Sequence, residues 1–284
     1  MKYELPPGIF VSPAAILNPV FFFFKDTKTL SVMNYRDGLN ERGFATVRNI
    51  YSADDIERIL NVIDSAEKSK ETFRRSTELF AIRQFLKELP EILEIIFNSR
   101  LHAVLKNFFK GNYFVVKSIY FDKPKTSNWY VSYHQDLTIS VDKKNEMAGF
   151  GPWTVKQNQF AVQPPLEILQ QILTIRIHLD ETSGDNGALR VVPGSHLKGI
   201  YRPEAIDWNI EKEVVCAVPQ GGIMLMRPLL LHSSGRTIND MPRRVIHIEF
   251  SDLELPAGLR WSEKFDLSCI QTDRGIDIAG VNFS

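Results

Sequence analysis

The chain contains 284 residues, of which 44% are hydrophobic and 24% are charged, a composition typical of one large globular domain or two small ones. Basic and acidic side chains total 34 each, so no charge surplus indicates nucleic acid as the partner. The composition therefore favours a neutral protein whose partner is a small molecule or another protein. Two cysteines, Cys216 and Cys269, provide neither a disulfide framework nor a cysteine zinc site, so we expect a reducing, cytoplasmic location.

The N-terminal segment, residues 1–34, is apolar and includes four consecutive phenylalanines at positions 21–24. Prolines at positions 6, 7, 13 and 19 interrupt it, which makes it too short and too broken for a membrane helix. It also lacks the basic region that begins a signal peptide. We predict that this segment is an arm packed on a single domain formed by residues 35–284, and a partner-binding patch is the alternative.

The first half of the chain is predicted to be mainly helical. Phe44–Asn49 is typical of a short strand, and Ser52 and Asp55 have the spacing of a capping box for the helix that follows. A second helical stretch is predicted from Thr77 to Leu89, and a third begins after Pro90, which is tolerated in a first helical turn.

From Tyr113 onward, short segments rich in β-branched and aromatic residues predict strands. These segments are Val115–Phe121, Ile172–Leu179, Ala188–Val192, Ile223–Met226 and Val245–Phe250. Because no helical pattern separates each pair, an antiparallel sandwich or barrel is favoured over a parallel α/β sheet.

Two parts of this half carry more specific predictions. Residues 137–168 contain several glycines and prolines, and are predicted to form a long irregular insertion, which in a compact domain is usually functional or disordered. In the predicted strand Ile172–Leu179, alternate residues Thr174, Arg176 and His178 form a polar face. That face either lines a wet cavity or is solvated, and the pattern leaves both possibilities open.

The segment Ser132–Leu137 carries the clearest chemical signal, because His134 and Asp136 are two residues apart after a strand-like run. Residues at i and i+2 of a strand face the same side, so both side chains could bind one metal ion. His232 is the candidate for a third ligand. Two histidines and one carboxylate that leave coordination positions open are typical of non-haem Fe(II) oxygenases, although a lone His-x-Asp is also common in surface loops.

Four motifs between Gly43 and Phe250 together resemble the phytanoyl-CoA dioxygenase family of Fe(II)- and 2-oxoglutarate-dependent oxygenases. The motifs are Gly43–Val47, Tyr133–Asp136, Asp185–His196, and His232–Gly235 followed by Pro242–Arg244. The resemblance implies a double-stranded β-helix, which is a cupin-like jelly-roll, with helices before it. This fold agrees with the strand-rich second half and the helical first half.

The resemblance implies that His134, Asp136 and His232 bind the catalytic Fe(II). Related halogenases replace the carboxylate by a small residue, whereas this chain keeps Asp136, so hydroxylation, or another oxidation that begins with hydrogen abstraction, is expected. In that reaction O2 and 2-oxoglutarate are consumed, and succinate and CO2 are released. The expected substrate is a small organic molecule that the sequence does not identify, and the alternative function is a jelly-roll module that binds a small ligand without catalysis.

The resemblance also assigns residues to the cosubstrate. Arg243 matches the arginine that binds the distal carboxylate of 2-oxoglutarate, and a planar guanidinium suits that bidentate role. Arg244 would face the other side of the same strand, and the pattern alone does not choose between the two arginines. Ser234 is expected to assist the same carboxylate, and Trp153 and Arg83 are expected near the cosubstrate. The alternatives are an aromatic that covers the core for Trp153 and a solvated helix charge for Arg83.

Overall fold

A computed structural model describes residues 33–66, 72–75, 80–124, 130–156 and 159–267. The predicted arm lies outside these residues, apart from the first turn of a helix that begins at Met33. The helices are α1 Met33–Glu41, α2 Ala53–Ser65, α3 Phe85–Glu88, α4 Leu93–Ile96, α5 Ser99–Leu105 and α6 Leu166–Gln170. None of the helices in these ranges has both the length and the apolar character needed to cross a membrane.

The strands are β1 Phe44–Val47, β2 Phe73–Arg75, β3 Phe80–Arg83, β4 Phe114–Lys123, β5 Val131–His134, β6 Ile139–Val141, β7 Trp153–Lys156, β8 Gln159–Val162, β9 Leu173–His178, β10 Leu189–Val191, β11 Val214–Cys216, β12 Ile223–Met226, β13 His232–Ser234, β14 Arg243–Ser251 and β15 Phe265–Asp266. The large sheet has the order β1-β12-β9-β14-β4-β3-β2, and β15 also pairs with β4. The small sheet has the order β11-β10-β13-β5. Side chains of the two sheets meet between them, which confirms the predicted mainly-β jelly-roll with N-terminal helices.

Helices α1–α5 cover one face of the large sheet, which we call the helix-side face. Helix α2 begins as predicted, because the Ser52 hydroxyl accepts from the Asp55 amide and the Asp55 carboxylate accepts from the Ser52 amide. Its residues Ile56, Ile59 and Ile63 are buried in the main hydrophobic core. Alternate residues of β9 and β14 join the same core, namely Leu173, Ile175, Ile177, Ile246, Ile248 and Phe250.

The opposite face of the large sheet, which we call the inner face, looks toward the small sheet and is polar at β9 and β14, whereas at β1 and β12 it is apolar. On β14 it carries Arg243, His247 and Glu249, and on β9 it carries Thr174, Arg176 and His178. Arg176 is 8% exposed and His178 is 3% exposed, so the polar face of β9 is not solvated. The polar residues of β9 instead line the interior between the sheets, which was the other possibility that the sequence left open.

The prediction of a helix from Thr77 to Leu89 is wrong for its middle part. Phe80–Arg83 form strand β3, which pairs with β4 so that Ala81 lies opposite Phe121, and the helix α3 begins only at Phe85. Pairing with a distant strand overrides the local preference of such a short segment.

The prediction of an irregular insertion at residues 137–168 is also wrong. The segment contributes β6, β7 and β8, which form a separate three-stranded antiparallel sheet, and helix α6. The prolines and glycines that suggested an irregular loop occupy the connections between these short elements.

Candidate metal centre

The three predicted metal ligands lie together at the end of the small sheet. Strands β5 and β13 pair in a register that places His134 directly opposite His232. Asp136 follows β5, and its amide donates to the Pro228 carbonyl at 2.9 Å. The two Asp136 carboxylate oxygens lie 3.9 Å from His134 Nε2 and 3.9 Å from His232 Nε2. One ligand atom from each residue lies within 4.8 Å of the others, which is close enough for one metal ion.

Backbone carbonyls fix the orientation of both imidazoles. His134 Nδ1 lies 2.9 Å from the Ser132 carbonyl, and His232 Nδ1 lies 2.8 Å from the Leu230 carbonyl. A carbonyl can only accept, so Nδ1 carries the proton in each ring, and the lone pair is on Nε2. Metal-binding histidines are usually held in this way, with the second nitrogen donating to a fixed acceptor. Both Nε2 atoms are therefore ready to bind a cation.

The charges at the centre also suit a divalent metal. Burial alone would raise the pKa of Asp136, but His232, His247, Lys117 and His134 together lower that pKa to about 2. Burial lowers the pKa of His232 to about 4, against the opposing effect of Asp136. Near neutral pH the carboxylate is charged and the His232 imidazole is neutral, which are the states that bind metals.

A second cluster next to the first, formed by Asp136, His247 and Glu249, has a similar spacing but a different bonding pattern. Arg176 Nη1 lies 3.2 Å from His247 Nδ1, and since a guanidinium only donates, the His247 proton is on Nε2. That Nε2 lies 3.0 Å from Glu249, which also accepts from Lys117 at 2.8 Å. His247 thus has no lone pair left for a metal, and the first cluster is the better metal site.

Arg243 lies on the inner face and is 4% exposed. Its guanidinium donates to the Gly187 carbonyl and, at 3.1 Å, to the Ser234 hydroxyl, which itself donates to the same carbonyl. Both partners are neutral, and burial followed by the charge of Arg176 lowers the pKa of Arg243 to about 9. A buried cation with neutral partners is favourably placed to receive an anionic ligand.

Arg244 has a different environment on the helix-side face. Its guanidinium makes two hydrogen bonds with the Asp180 carboxylate, at 2.9 Å and 2.6 Å, and this ion pair raises the pKa of Arg244. Its charge is therefore already matched within the chain. The geometry favours Arg243 over Arg244 as the group that binds the cosubstrate.

Trp153 and Arg83 are not among the residues that contact the metal-ligand candidates or Arg243 in the hydrogen bonds described above. Trp153, at the start of β7, packs against a second hydrophobic cluster that contains Val116, Val162 and Trp261, in accord with the alternative of an aromatic that covers the core. Arg83 ends β3 rather than lying on a helix, and donates to the Gln159 side chain at 2.9 Å. Their proposed roles near the cosubstrate remain predictions.

Sequence reasoning missed Gln135, which lies between two of the metal-ligand candidates. Its side-chain amide donates to the carbonyls of Gly199 and Leu229, at 2.9 Å and 2.6 Å, and its side-chain oxygen accepts from the Tyr201 amide at 2.8 Å. These bonds join the end of β5 to two loops beside the centre. No local pattern indicates them, because their partners are more than 60 residues away along the chain.

Comparison with known proteins identifies the family of the chain. The family model for phytanoyl-CoA dioxygenase matches residues 39–245. The chain belongs to this family. It is therefore a 2-oxoglutarate-dependent non-haem iron enzyme, as the sequence predicted, and the match includes the His-Asp-His cluster and Arg243. No curated protein matches the chain in sequence.

Solved structures with the same fold include three enzymes crystallised with ligands. The epimerase SnoN from nogalamycin biosynthesis, in complex with Fe3+, alpha ketoglutarate and nogalamycin RO, is 15% identical, with a TM-score of 0.58 over 78% of this chain and 84% of that one. EctD from S. alaskensis with 2-oxoglutarate and 5-hydroxyectoine is 18% identical (TM-score 0.59; 83% and 81% covered). HygX from Streptomyces hygroscopicus with nickel, 2-oxoglutarate and hygromycin B is 12% identical (0.55; 77% and 86%). At these identities the similarity concerns the fold.

Proposed function

We propose that this enzyme hydroxylates a small organic substrate, with His134, Asp136 and His232 as ligands of Fe(II) and with Arg243 and Ser234 as ligands of 2-oxoglutarate. The observation that carries this proposal is the convergence of two oriented Nε2 atoms and one ionised carboxylate on a single point. A buried guanidinium with neutral partners lies on the facing sheet.

When bound, Fe(II) with 2-oxoglutarate and O2 would supply the oxidation of a C–H bond, releasing succinate and CO2. The chain contributes position and charge. Asp136 offsets part of the metal charge, and the two imidazoles occupy fixed directions, so three protein ligands leave the remaining positions open. Because the third ligand is a carboxylate, halide is not expected to take its place. Arg243 and Ser234 would fix the far end of the cosubstrate and thereby orient its other end at the metal.

We further propose that the substrate occupies a cavity of about 710 Å3 between the large sheet and the three-stranded sheet. Arg83, Lys117 and Thr138 are among the residues that line it. Lys117 links the wall of this cavity to the surroundings of the metal centre, because it donates to the Thr138 carbonyl, two residues after Asp136, and to Glu249. Its volume is in the range of sites for small molecules, roughly 300–1,000 Å3.

A reducing cytoplasmic location remains part of the proposal. The support is the cysteine usage, because Cys216 is a buried free thiol and two cysteines in 284 residues do not form a disulfide framework.

Anaerobic titration of the purified protein with Fe(II), and then with 2-oxoglutarate, tests the proposal. We expect both to bind, the second only after the first, and succinate to appear when O2 is admitted. If the protein binds neither, the oxygenase function is wrong and the alternative of a non-catalytic binding module gains support.

The substrate can then be sought by its effect on turnover. We expect that one member of a metabolite panel, which includes acyl-CoA thioesters, will raise succinate formation and gain the mass of one oxygen atom. A product that has instead lost two hydrogens would replace hydroxylation by desaturation.

A further inference from the structure

The inner face of the large sheet holds a second buried guanidinium that the proposed function does not use. Arg176, on β9, is 8% exposed, and the hydrogen bond found for it goes to Nδ1 of His247. Its Nε is buried without a hydrogen-bond partner, and so is Nε2 of His178, two residues later. Within the part of the chain that the structure describes, neither Arg176 nor Arg243 forms an ion pair with a carboxylate.

Such an arrangement is costly for the protein alone. Buried charges are normally paired, because moving an ion out of water costs several kcal/mol, and buried polar atoms without partners are rare. The hydrogen bond to His247 gives the Arg176 guanidinium no counter-charge and leaves its Nε without an acceptor. An anion bound at the inner face would provide both the counter-charge and the acceptor.

Arg176 lies beside the metal centre, because its Nη1 is 3.2 Å from His247 Nδ1 and a nitrogen of His247 lies within 4.8 Å of an Asp136 oxygen. Burial lowers the pKa of Arg176 to about 10, while the charge of Asp136 acts in the opposite direction. The charge of Arg176 also lowers the pKa of His232 and of Arg243. The register agrees, because His247 lies opposite Arg176 on the inner face and Arg243 lies further along β14. Arg176 therefore lies on the same face as Arg243, at the level of His247.

We propose that Arg176 is a second cosubstrate-binding residue, which contacts the metal-side carboxylate of the 2-oxo acid while Arg243 binds the far carboxylate. The inference rests on the proposed function, since it requires the cosubstrate to lie between the His-Asp-His cluster and Arg243. Two guanidiniums matched to two carboxylates would also explain why two buried arginines face one interior.

Two 2-oxo acids separate the roles of the two arginines. The protein is loaded with Mn(II) and titrated calorimetrically with 2-oxoglutarate and with 2-oxopentanoate, which has no far carboxylate. We expect R176M to weaken the binding of both acids, by about 10- to 100-fold and by the same factor. R243M should weaken 2-oxoglutarate alone. T174V, a change on the same inner face and the same strand, is the matched control and should bind both acids like the wild type.

A second measurement separates ligand binding from a structural role. In the ligand-free protein, R176M should melt no lower than the wild type, because replacing a buried charge by an apolar side chain is often neutral or stabilising. The rise in melting temperature on adding 2-oxoglutarate should be smaller than in the wild type.

Three results would overturn the proposal. The first is unchanged affinity of R176M for both acids, and the second is a loss for 2-oxoglutarate alone, which would place Arg176 at the far carboxylate. The third is a clearly lower melting temperature of ligand-free R176M with normal affinity, which would make the residue structural. If the Mn(II)-loaded wild type binds neither acid, the proposed function itself fails, and the wild-type titration reports that outcome separately.

Discussion

The two faces of the large sheet are built from the same strands but have opposite chemistry. On the helix-side face, Ile175 of β9 lies opposite Ile248 of β14, and both are fully buried among apolar side chains. One residue further along each strand, on the inner face, Arg176 lies opposite His247. Because the side-chain period of a strand is two, adjacent residues can serve different tasks without any change in the backbone.

The difference shows how the chain divides stability from chemistry. Burial of each large aliphatic side chain on the helix-side face contributes about 1.5–3 kcal/mol to folding. On the inner face, buried charges such as Arg243 oppose folding until a ligand matches them. We therefore expect substitutions of the charged side chains on the inner face to change binding and activity, and substitutions on the helix-side face to change stability.

The largest effect is expected for the metal-ligand candidates. H134A, D136A and H232A should each abolish succinate formation that depends on iron and 2-oxoglutarate, because each removes one of three protein ligands. Metal content and oxygen uptake measure the loss. The metal-free variants should melt close to the wild type, since none of the three side chains belongs to the apolar core. Full activity in any variant would remove that residue from the ligand set.

Substitutions of Arg243 and Arg244 compare the inner face with the helix-side face at two adjacent residues of β14. Leaving the far carboxylate of 2-oxoglutarate buried and unmatched costs on the order of 3–5 kcal/mol. R243A should therefore weaken 2-oxoglutarate binding by roughly two to four powers of ten. R243K keeps the charge but loses the planar fork, and should fall between R243A and the wild type.

R244A is the matched control, because Arg244 already forms an ion pair with Asp180 on the other side of the strand. It should change the affinity little. Titration of 2-oxoglutarate into the Mn(II)-loaded variants decides the matter, and a large loss in R244A with none in R243A would show that the assignment is wrong by one residue.

The converse prediction concerns Ile248 on the helix-side face. I248A should lower the free energy of unfolding by about 2–5 kcal/mol, as expected for a large-to-small change in a packed core. Urea unfolding measures this loss, and T174V on the inner face serves as the comparison with a small expected change. The folded fraction of I248A should still bind Mn(II) normally. A stable I248A with impaired metal binding would contradict the division between the faces.

Much of this division between the two faces could be predicted from the sequence, because apolar and polar residues alternate along the strands. The strand at Ile223–Met226 has the predicted bounds, and the capping box at Ser52 lies where its spacing indicated. The proximity of His134 and Asp136 was predicted from a strand period of two, but β5 ends at His134 and Asp136 lies beyond it. The family motifs supplied the fold and added His232, which is distant in the chain.

Other features depend on contacts between distant segments, and the sequence could not settle them. Both faces of β9 are buried, so its polar alternation could not show whether Arg176 faces solvent or an interior. The choice between Arg243 and Arg244 needs the register of β14 against its neighbours. Strand β3 forms because β4 offers it an edge, which no pattern in Phe80–Arg83 reveals.

The smallest expected effect involves a carboxyl group on the helix-side face. Glu263 is 2% exposed, and its carboxylate accepts from the amide and the hydroxyl of Ser118, at 2.6 Å and 2.5 Å. Ser118 lies opposite Ile248 and so belongs to the helix-side face. Burial raises the pKa of Glu263 from 4.5 to about 7, although the two hydrogen bonds from Ser118 act in the other direction.

The sign of the pH effect follows from proton binding. Between pH 4.5 and about 7 the folded protein holds a proton on Glu263 that the unfolded chain has released. The contribution of this group to stability is therefore fully present below pH 4.5 and is lost as the pH rises through 7. E263Q remains neutral at every pH, so it should be more stable than the wild type at pH ~8, by at most about 3 kcal/mol, and nearly equal to it at pH ~4.5.

Urea unfolding of both proteins at the two pH values isolates this group, because other titrations cancel in the difference. E254Q, a change at an exposed carboxylate paired with Lys264, is the control and should follow the wild type at both pH values. If E263Q and the wild type differ by the same amount at both, the Glu263 carboxyl is not protonated in the folded protein. The helix-side face would then hold a buried charge as the inner face does, and the contrast between the two faces would be one of degree.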